Sequence, residues 1–104
     1  MRFSAWPIVQ QPARDFLDIC AHVERLGYDG VWISDHLVPS RPPLDTPVIE
    51  CFTTAAAVAA TVPRIRIGTL VASNTFRHPA IVAKASATIA ELSGNRFVLG
   101  IGAG

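Results

Sequence analysis

An adjacent carboxylate and imidazole, Asp35 and His36, are the side chains of this 104-residue chain best placed to move a proton. They follow residues 31–33, a continuously apolar run bounded by Gly30 and by polar residues, which predicts a buried strand of a parallel sheet. Ligands of parallel α/β proteins bind at the carboxyl ends of the strands, where an imidazole can exchange protons near neutral pH. The other interpretation, a turn-capping Asp35 beside a half-exposed loop histidine, stays open on this stretch alone.

Two further stretches follow apolar runs in the same way. The first is polar and contains Ser73, Asn74, Thr75, Arg77 and His78. The second, residues 100–104, is rich in glycine, but its spacing does not fit the dinucleotide-binding fingerprint, and a tight bend explains the glycines. Three such loops at the same end of consecutive strands predict a binding site.

Hydrophobic periodicity predicts four strands and three helices in strict alternation. The strands are predicted at residues 2–6, 28–34, 65–71 and 97–101. The first helix has an apolar stripe of Phe16, Ile19, Cys20, Val23 and Leu26 and is closed by Gly27. The second helix is predicted over residues 50–62, and the third begins at Pro79 and ends at residues 93–95. Residues 37–47 form a proline-rich connection of unusual length, which predicts a lid or a binding loop.

This β-α-β-α-β-α-β order fits two architectures. One is an open doubly wound sheet, and the other is about half of an eight-stranded (β/α) barrel. The open sheet usually carries a glycine-rich turn after its first strand, and residues 7–10 have no glycine. The pattern therefore favours the barrel.

Composition narrows the class of partner. Half of the residues are hydrophobic, 16% are charged and the formal net charge is +1, which predicts one globular domain at most. No run of Lys or Arg is present, so we expect a small-molecule partner and neither nucleic acid nor a membrane. Cys20 and Cys51 fall in apolar helical patterns without metal-ligand spacing, which predicts buried reduced thiols, no metal site and a cytoplasmic location.

Four blocks of sequence resemble the luciferase-like monooxygenase superfamily. They are residues 27–37, 66–71, 74–79 and 92–104, in the family's order and over almost the whole chain. They look most like the branch that uses the deazaflavin coenzyme F420. The resemblance implies a TIM-type barrel that binds a flavin or deazaflavin at the C-terminal face of its strands, with residues 1–104 as one partial domain, the N-terminal half of the barrel.

The same resemblance implies roles for individual residues. His36 matches a catalytic histidine that lies over the reacting face and takes the proton of a substrate hydroxyl while hydride passes to the deazaflavin. Asp35 matches an acid near the cofactor ring. The bulge that backs the ring, with a non-prolyl cis peptide in family members, falls at residues 71–73. The cofactor-binding residues implied are Asp35, Val71, Ala72, Ser73, Gly102 and Ala103.

The expected function is therefore that of an F420-dependent oxidoreductase, by hydride transfer to or from F420. An FMN-dependent monooxygenase fed by a separate reductase is the alternative within enzymes. Because half a barrel leaves two strand edges unpaired, we expect the 104-residue chain alone to be inactive and to self-associate, and a non-catalytic half-barrel is the alternative from another class.

Overall fold

Helices and short strands alternate along residues 1–103, the part of the chain that the computed structural model describes. The elements are β1 (Ser4–Ala5), α1 (Ala13–Arg25), β2 (Gly30–Ile33), α2 (Cys51–Thr61), β3 (Arg66–Thr69), β4 (Ala72–Ser73), α3 (Pro79–Leu92), β5 (Phe97–Val98) and β6 (Ile101–Gly102). The predicted alternation is confirmed, but the third and fourth predicted strands are each divided in two.

The main sheet is parallel and follows chain order, β1-β2-β3-β5. Val31 lies opposite Ile67 and Ile33 opposite Thr69, and all four side chains are buried. Because right-handed crossovers between strands in unreversed order place every connecting helix on the same face, this topology is that of a barrel wall. A doubly wound sheet would reverse its strand order at a switch point.

Helix α1 shows how the sequence sets an element's limits. Phe16, Cys20 and Val23 are buried against the sheet, as predicted. Gly27 has a φ of +85°, a left-handed conformation that glycine adopts readily, and its N–H donates to the Glu24 carbonyl to close the helix. Leu26, predicted as part of the apolar stripe, is 62% exposed because the helix ends at Arg25.

The predicted strand 65–71 is broken by a bulge. Strand β3 ends at Thr69, the Leu70–Val71 peptide is cis, and the chain resumes as β4. Val71, predicted at the end of this strand, is 45% exposed and lies outside the β3 ladder. The Thr69 hydroxyl explains the second break: it donates to the Gly100 carbonyl (2.6 Å) and accepts from the Gly100 N–H (2.9 Å), which separates β5 from β6.

The two faces of the sheet differ. Ala5, Val31, Ile67 and Phe97 form a row that packs into the helical layer. On the other face Trp32 covers Gly68, where an added Cβ would lie 1.9 Å from the indole ring. Within the described residues, β1 pairs only with β2 and β5 only with β3, so both outer strands have an open edge.

The predicted state of both cysteines is confirmed, since Cys20 and Cys51 are free and buried. None of the helices in residues 1–103 is both long and apolar enough to span a bilayer. The same part of the chain contains no cluster of three or more metal-ligating side chains.

Candidate active site

Asp35 lies at the carboxyl end of β2 with its carboxylate almost sealed from solvent, at 1% exposure. Oδ2 accepts the Ser73 N–H (2.9 Å) and Arg77 Nη1 (2.6 Å), and Oδ1 accepts Arg77 Nη2 (2.8 Å). The carboxylate therefore joins the loop after β2 to the loop after β4. The structure brings together Asp35 and Ser73, which the sequence predicted to share a site.

Arg77 is the cation of this cluster. Its Nη2 also donates to Glu50, and its guanidinium carbon lies 4.8 Å from the centre of the Phe52 ring. Glu50 is the N-cap of α2, and its carboxylate accepts the backbone N–H groups of Phe52 and Thr53. The Arg77 guanidinium thus connects the carboxyl end of β2 to the start of α2.

Arg77 and Glu50 each stabilise the ionised form of the other. The hydrogen bonds that Arg77 donates to Asp35, against the opposing effect of burial, raise the pKa of Arg77, and the bond to Glu50 adds to the rise. Burial alone would raise the pKa of Glu50, but the hydrogen bonds from Thr53, Arg77 and Phe52 outweigh it and hold that pKa below its usual value. Both groups are therefore ionised near neutral pH.

A cavity of about 380 Å³ lies beside the cluster. It is lined by Asp35, Val71, Ser73, Phe76, Gly102 and Ala103. We call it the ring cavity. Five of the six residues predicted to bind the cofactor line it. The exception is Ala72, which is fully buried because its side chain packs into the core rather than toward the cavity.

The bulge forms the floor of the ring cavity. Ala72 N–H donates to the Gly100 carbonyl (2.8 Å) and Asn74 N–H to the Gly102 carbonyl (3.1 Å), which fixes β4 beside β6. A Cβ on Gly102 would lie 2.6 Å from a methyl of Val71, so only glycine fits there without displacing the valine. The cis peptide stands at Leu70–Val71, just ahead of the segment 71–73 where the resemblance placed it.

His36 is exposed at the end of β2, next to Asp35. It borders a cavity of about 320 Å³ shared with Asp35 and Phe76, and on its other side a cavity of about 300 Å³ shared with Trp6 and Ser34. The Asp35 carboxylate is directed at Arg77 and the Ser73 N–H, so Asp35 does not orient the imidazole through a direct hydrogen bond.

The long loop after β2 forms the outer wall of the 300 Å³ cavity. Gln10 holds it through four hydrogen bonds to its backbone: Oε1 accepts the Ser40 and Arg41 N–H groups, and Nε2 donates to the Arg41 and Pro43 carbonyls. The loop is therefore tied to the segment after β1, and its role as a lid or a binding loop stays a prediction.

Sequence reasoning missed three contributors to the site. Arg77 was grouped with the polar loop without a role, Glu50 was assigned only to the start of a helix, and Gly100 only to a bend. The Arg77–Asp35 and Arg77–Glu50 pairs join residues 42 and 27 positions apart. Local spacing carries no signal for such pairs, and glutamate is not a residue that sequence patterns mark as an N-cap.

The main sheet is parallel with its strands in chain order, and the loops at their carboxyl ends carry a histidine and line a cavity. This arrangement is that of part of a (β/α) barrel whose site is at the carboxyl ends of the strands. The sequence model of the luciferase-like monooxygenase family matches residues 1–104, and the chain belongs to that family. The predicted family and fold class are both confirmed.

Individual relatives agree with this assignment. The chain is 39% identical over 92 residues to an F420-dependent glucose-6-phosphate dehydrogenase of Amycolatopsis mediterranei, covering 88% of this chain and 27% of the relative. It is 34% identical over 88 residues to the 4-hydroxyprotoasukamycin monooxygenase of Streptomyces nodosus subsp. asukaensis, covering 85% and 23%. The chain thus spans about a quarter of the length of these curated relatives.

A solved structure superimposes closely. An F420-dependent secondary alcohol dehydrogenase in complex with an F420-acetone adduct matches with a TM-score of 0.90 and 25% identity, over 99% of this chain and 32% of that one. The chain therefore has the fold of the corresponding part of that structure.

Proposed function

We propose that this chain is the cofactor-binding portion of an F420-dependent oxidoreductase, in which residues 1–104 are one partial domain of a longer (β/α) barrel. The observation that carries the proposal is the position of His36 directly after Asp35, at a cavity that shares Asp35 and Phe76 with the ring cavity. The relative from Amycolatopsis mediterranei and the superimposed dehydrogenase both carry F420 in their names.

The ring cavity suits a planar heteroaromatic ring. Gly102 and Ala103 present backbone with little side chain, while Val71 and Phe76 supply apolar surface. The Ser73 hydroxyl, paired with Thr75 Oγ1 at 2.8 Å, offers a polar contact. These residues would hold F420, which supplies a carbon centre that exchanges a hydride with the substrate.

His36 supplies the proton transfer in this proposal. An exposed imidazole between two cavities can reach a hydroxyl in either, and a neutral imidazole accepts a proton near pH 7. Asp35 serves the site through position, because its carboxylate is occupied by Arg77 and Ser73.

A second candidate is an FMN-dependent monooxygenase. It is favoured by the 34% identical relative that bears the name of a monooxygenase. The residues of the ring cavity would hold the flavin ring, which would supply the reaction with oxygen, and His36 would supply proton transfer. Binding of each cofactor separates the two candidates.

The proposal also covers the cellular location of the chain and its association with further chain. Free buried cysteines suit the cytoplasm, and the open edges of β1 and β5 suit association with further chain, in the same polypeptide or in a homo-oligomer.

The experiment that tests the proposal replaces His36 by Asn in the full-length enzyme. Asn keeps hydrogen bonding and much of the volume but has no basicity, so F420 reduction with a panel of small alcohols should fall by about a hundredfold or more. F420 affinity should stay within about twofold, because proton transfer and not binding is removed.

The matched control is His22→Asn, which changes an exposed histidine on α1 and should leave turnover unchanged. The acidic limb of the pH-rate profile should disappear only in the His36 variant. Wild-type turnover and an unchanged profile in His36→Asn would remove the histidine from the reaction.

A further inference from the structure

The guanidinium of Arg77 joins segments that are distant in the chain. It reaches Asp35 at the end of β2 through two parallel hydrogen bonds and Glu50 at the start of α2 through a third. Through Asp35 it is linked to the Ser73 N–H in β4. Arg77 is not one of the residues that line the ring cavity, so any effect on a ligand there passes through these partners.

The geometry of the contact selects arginine. Two N–H groups meet the two carboxylate oxygens of Asp35 at 2.6 and 2.8 Å, an arrangement that the planar guanidinium makes and an ammonium does not. The Phe52 ring covers the guanidinium face, which leaves the Arg77 side chain 16% exposed. Asp35 therefore binds the edge of the Arg77 guanidinium, and Phe52 covers its face.

The position of Asp35 depends on this contact. A carboxylate at 1% exposure is strongly disfavoured without a cation, and the Ser73 N–H alone is a single neutral donor. Without Arg77 the Asp35 carboxylate would turn toward solvent. That movement would release the Ser73 N–H that Oδ2 now holds.

We propose that Arg77 is the positioning residue of this site. It fixes Asp35 and, through Asp35, holds Ser73 at the ring cavity and the adjoining His36 at the neighbouring 320 Å³ cavity. The effect on F420 rests on the function proposed above. The effect on the geometry of the loops does not, because it follows from contacts within the chain.

The first test measures the loops without a ligand. Amide hydrogen exchange is followed by NMR in the full-length enzyme and in its Arg77→Met and Arg77→Lys variants, all without F420. The Ser73 amide should lose protection by about tenfold or more in Arg77→Met, the factor expected when a hydrogen bond to a charged group is lost. The Ala72 amide, bonded to the Gly100 carbonyl, is the internal reference and should change much less.

Arg77→Lys keeps the charge and loses the fork, so the protection of the Ser73 amide should lie between wild type and Arg77→Met. This variant also covers the case in which Arg77→Met fails to fold. Equal exchange at Ser73 in wild type and Arg77→Lys, with Arg77→Met either unchanged or unfolded, would overturn the proposal.

The second test measures F420 affinity by fluorescence titration of the full-length enzyme. Arg77→Met should weaken binding by about tenfold, and Arg77→Lys should restore part of the loss. Arg64→Met removes an arginine that is 72% exposed and is the matched control for charge. Val58→Ala removes buried methyl groups of α2 away from the cavity and is the control for stability alone.

The outcomes separate the two proposals. Loss of affinity in Val58→Ala equal to that in Arg77→Met, at matched stability, would reduce Arg77 to a structural residue and overturn its positioning role. If the wild-type enzyme fails to bind F420, the proposed function fails, while the exchange at Ser73 still decides the role of Arg77.

Discussion

Gly100→Ala is the substitution for which the structure gives the clearest expectation. A Cβ built on Gly100 lies 2.3 Å from the carbonyl oxygen of Thr69, which is backbone and cannot rotate away. Carbon and oxygen atoms in ordinary contact are more than 3 Å apart, so one of the two segments must move by about 1 Å. The movement falls on the bulge that forms the floor of the ring cavity.

The loss of stability in Gly100→Ala follows from the hydrogen bonds that Gly100 makes. Gly100 makes two hydrogen bonds with the Thr69 hydroxyl and a third with the Ala72 N–H. At about 1 kcal/mol each, their loss should lower the free energy of unfolding by about 3 kcal/mol. Gly102→Ala is the comparison, because its Cβ meets a half-exposed valine methyl that can rotate, and it should cost about 1 kcal/mol.

Urea denaturation followed by circular dichroism measures both values, with wild type as reference. A Gly100→Ala variant within 1 kcal/mol of wild type would refute the reasoning, and so would a Gly102→Ala variant destabilised as much as Gly100→Ala. Both variants should also weaken binding of F420, since each displaces the cavity floor.

Two further predictions concern the cysteines and the long loop. Burial raises the pKa of the Cys20 and Cys51 thiols to about 12, with Asp35 and Glu50 adding to the rise at Cys51. Both thiols should therefore resist a disulfide reagent at pH 8 until the chain unfolds, and rapid labelling of the folded chain would contradict this prediction. The free energy of unfolding should fall as the pH rises above 9, because the thiols of the unfolded chain lose their protons before those of the folded chain. Gln10→Ala removes four hydrogen bonds to the loop backbone, so exchange of the Ser40 and Arg41 amides should rise by about tenfold. Unchanged exchange at these two amides would show that Gln10 does not hold the loop.

Local sequence determines much of this fold. The apolar periodicity of Phe16, Cys20 and Val23 predicts the buried face of α1, and Gly27 marks its end. These features depend on the chain's own geometry over a few residues, so a single sequence is enough to identify them.

The bulge depends on contacts that no local pattern contains. Residues 65–71 and 97–101 each read as one strand, and what divides them is the pairing of the Thr69 hydroxyl with Gly100, 31 positions away. The Arg77–Asp35 pair was missed for the same reason. Ala72 was assigned to the cofactor because the resemblance implied the whole segment 71–73. Val71 and Ser73 do line the cavity, while the Ala72 side chain between them points to the core.

The residues that carry the resemblance allowed more to be predicted than the physics of the sequence alone. The loops after β2, β4 and β6 were expected to converge because parallel strands end at one edge, and they do. Which cofactor they serve came from the resemblance, and for this chain the choice between F420 and FMN stays a proposal.

We propose above that the ring cavity holds the ring of F420. The most direct measurement is a titration of the ¹⁵N-labelled full-length enzyme with F420, and separately with FMN, following the backbone amides of Ser73, Gly102 and Ala103 by NMR. We predict that F420 shifts these amides in a saturable way and leaves the Asp18 amide on the outer helix α1 unchanged. Saturable shifts with FMN alone, or F420 shifts confined to residues outside the ring cavity, would contradict the claim.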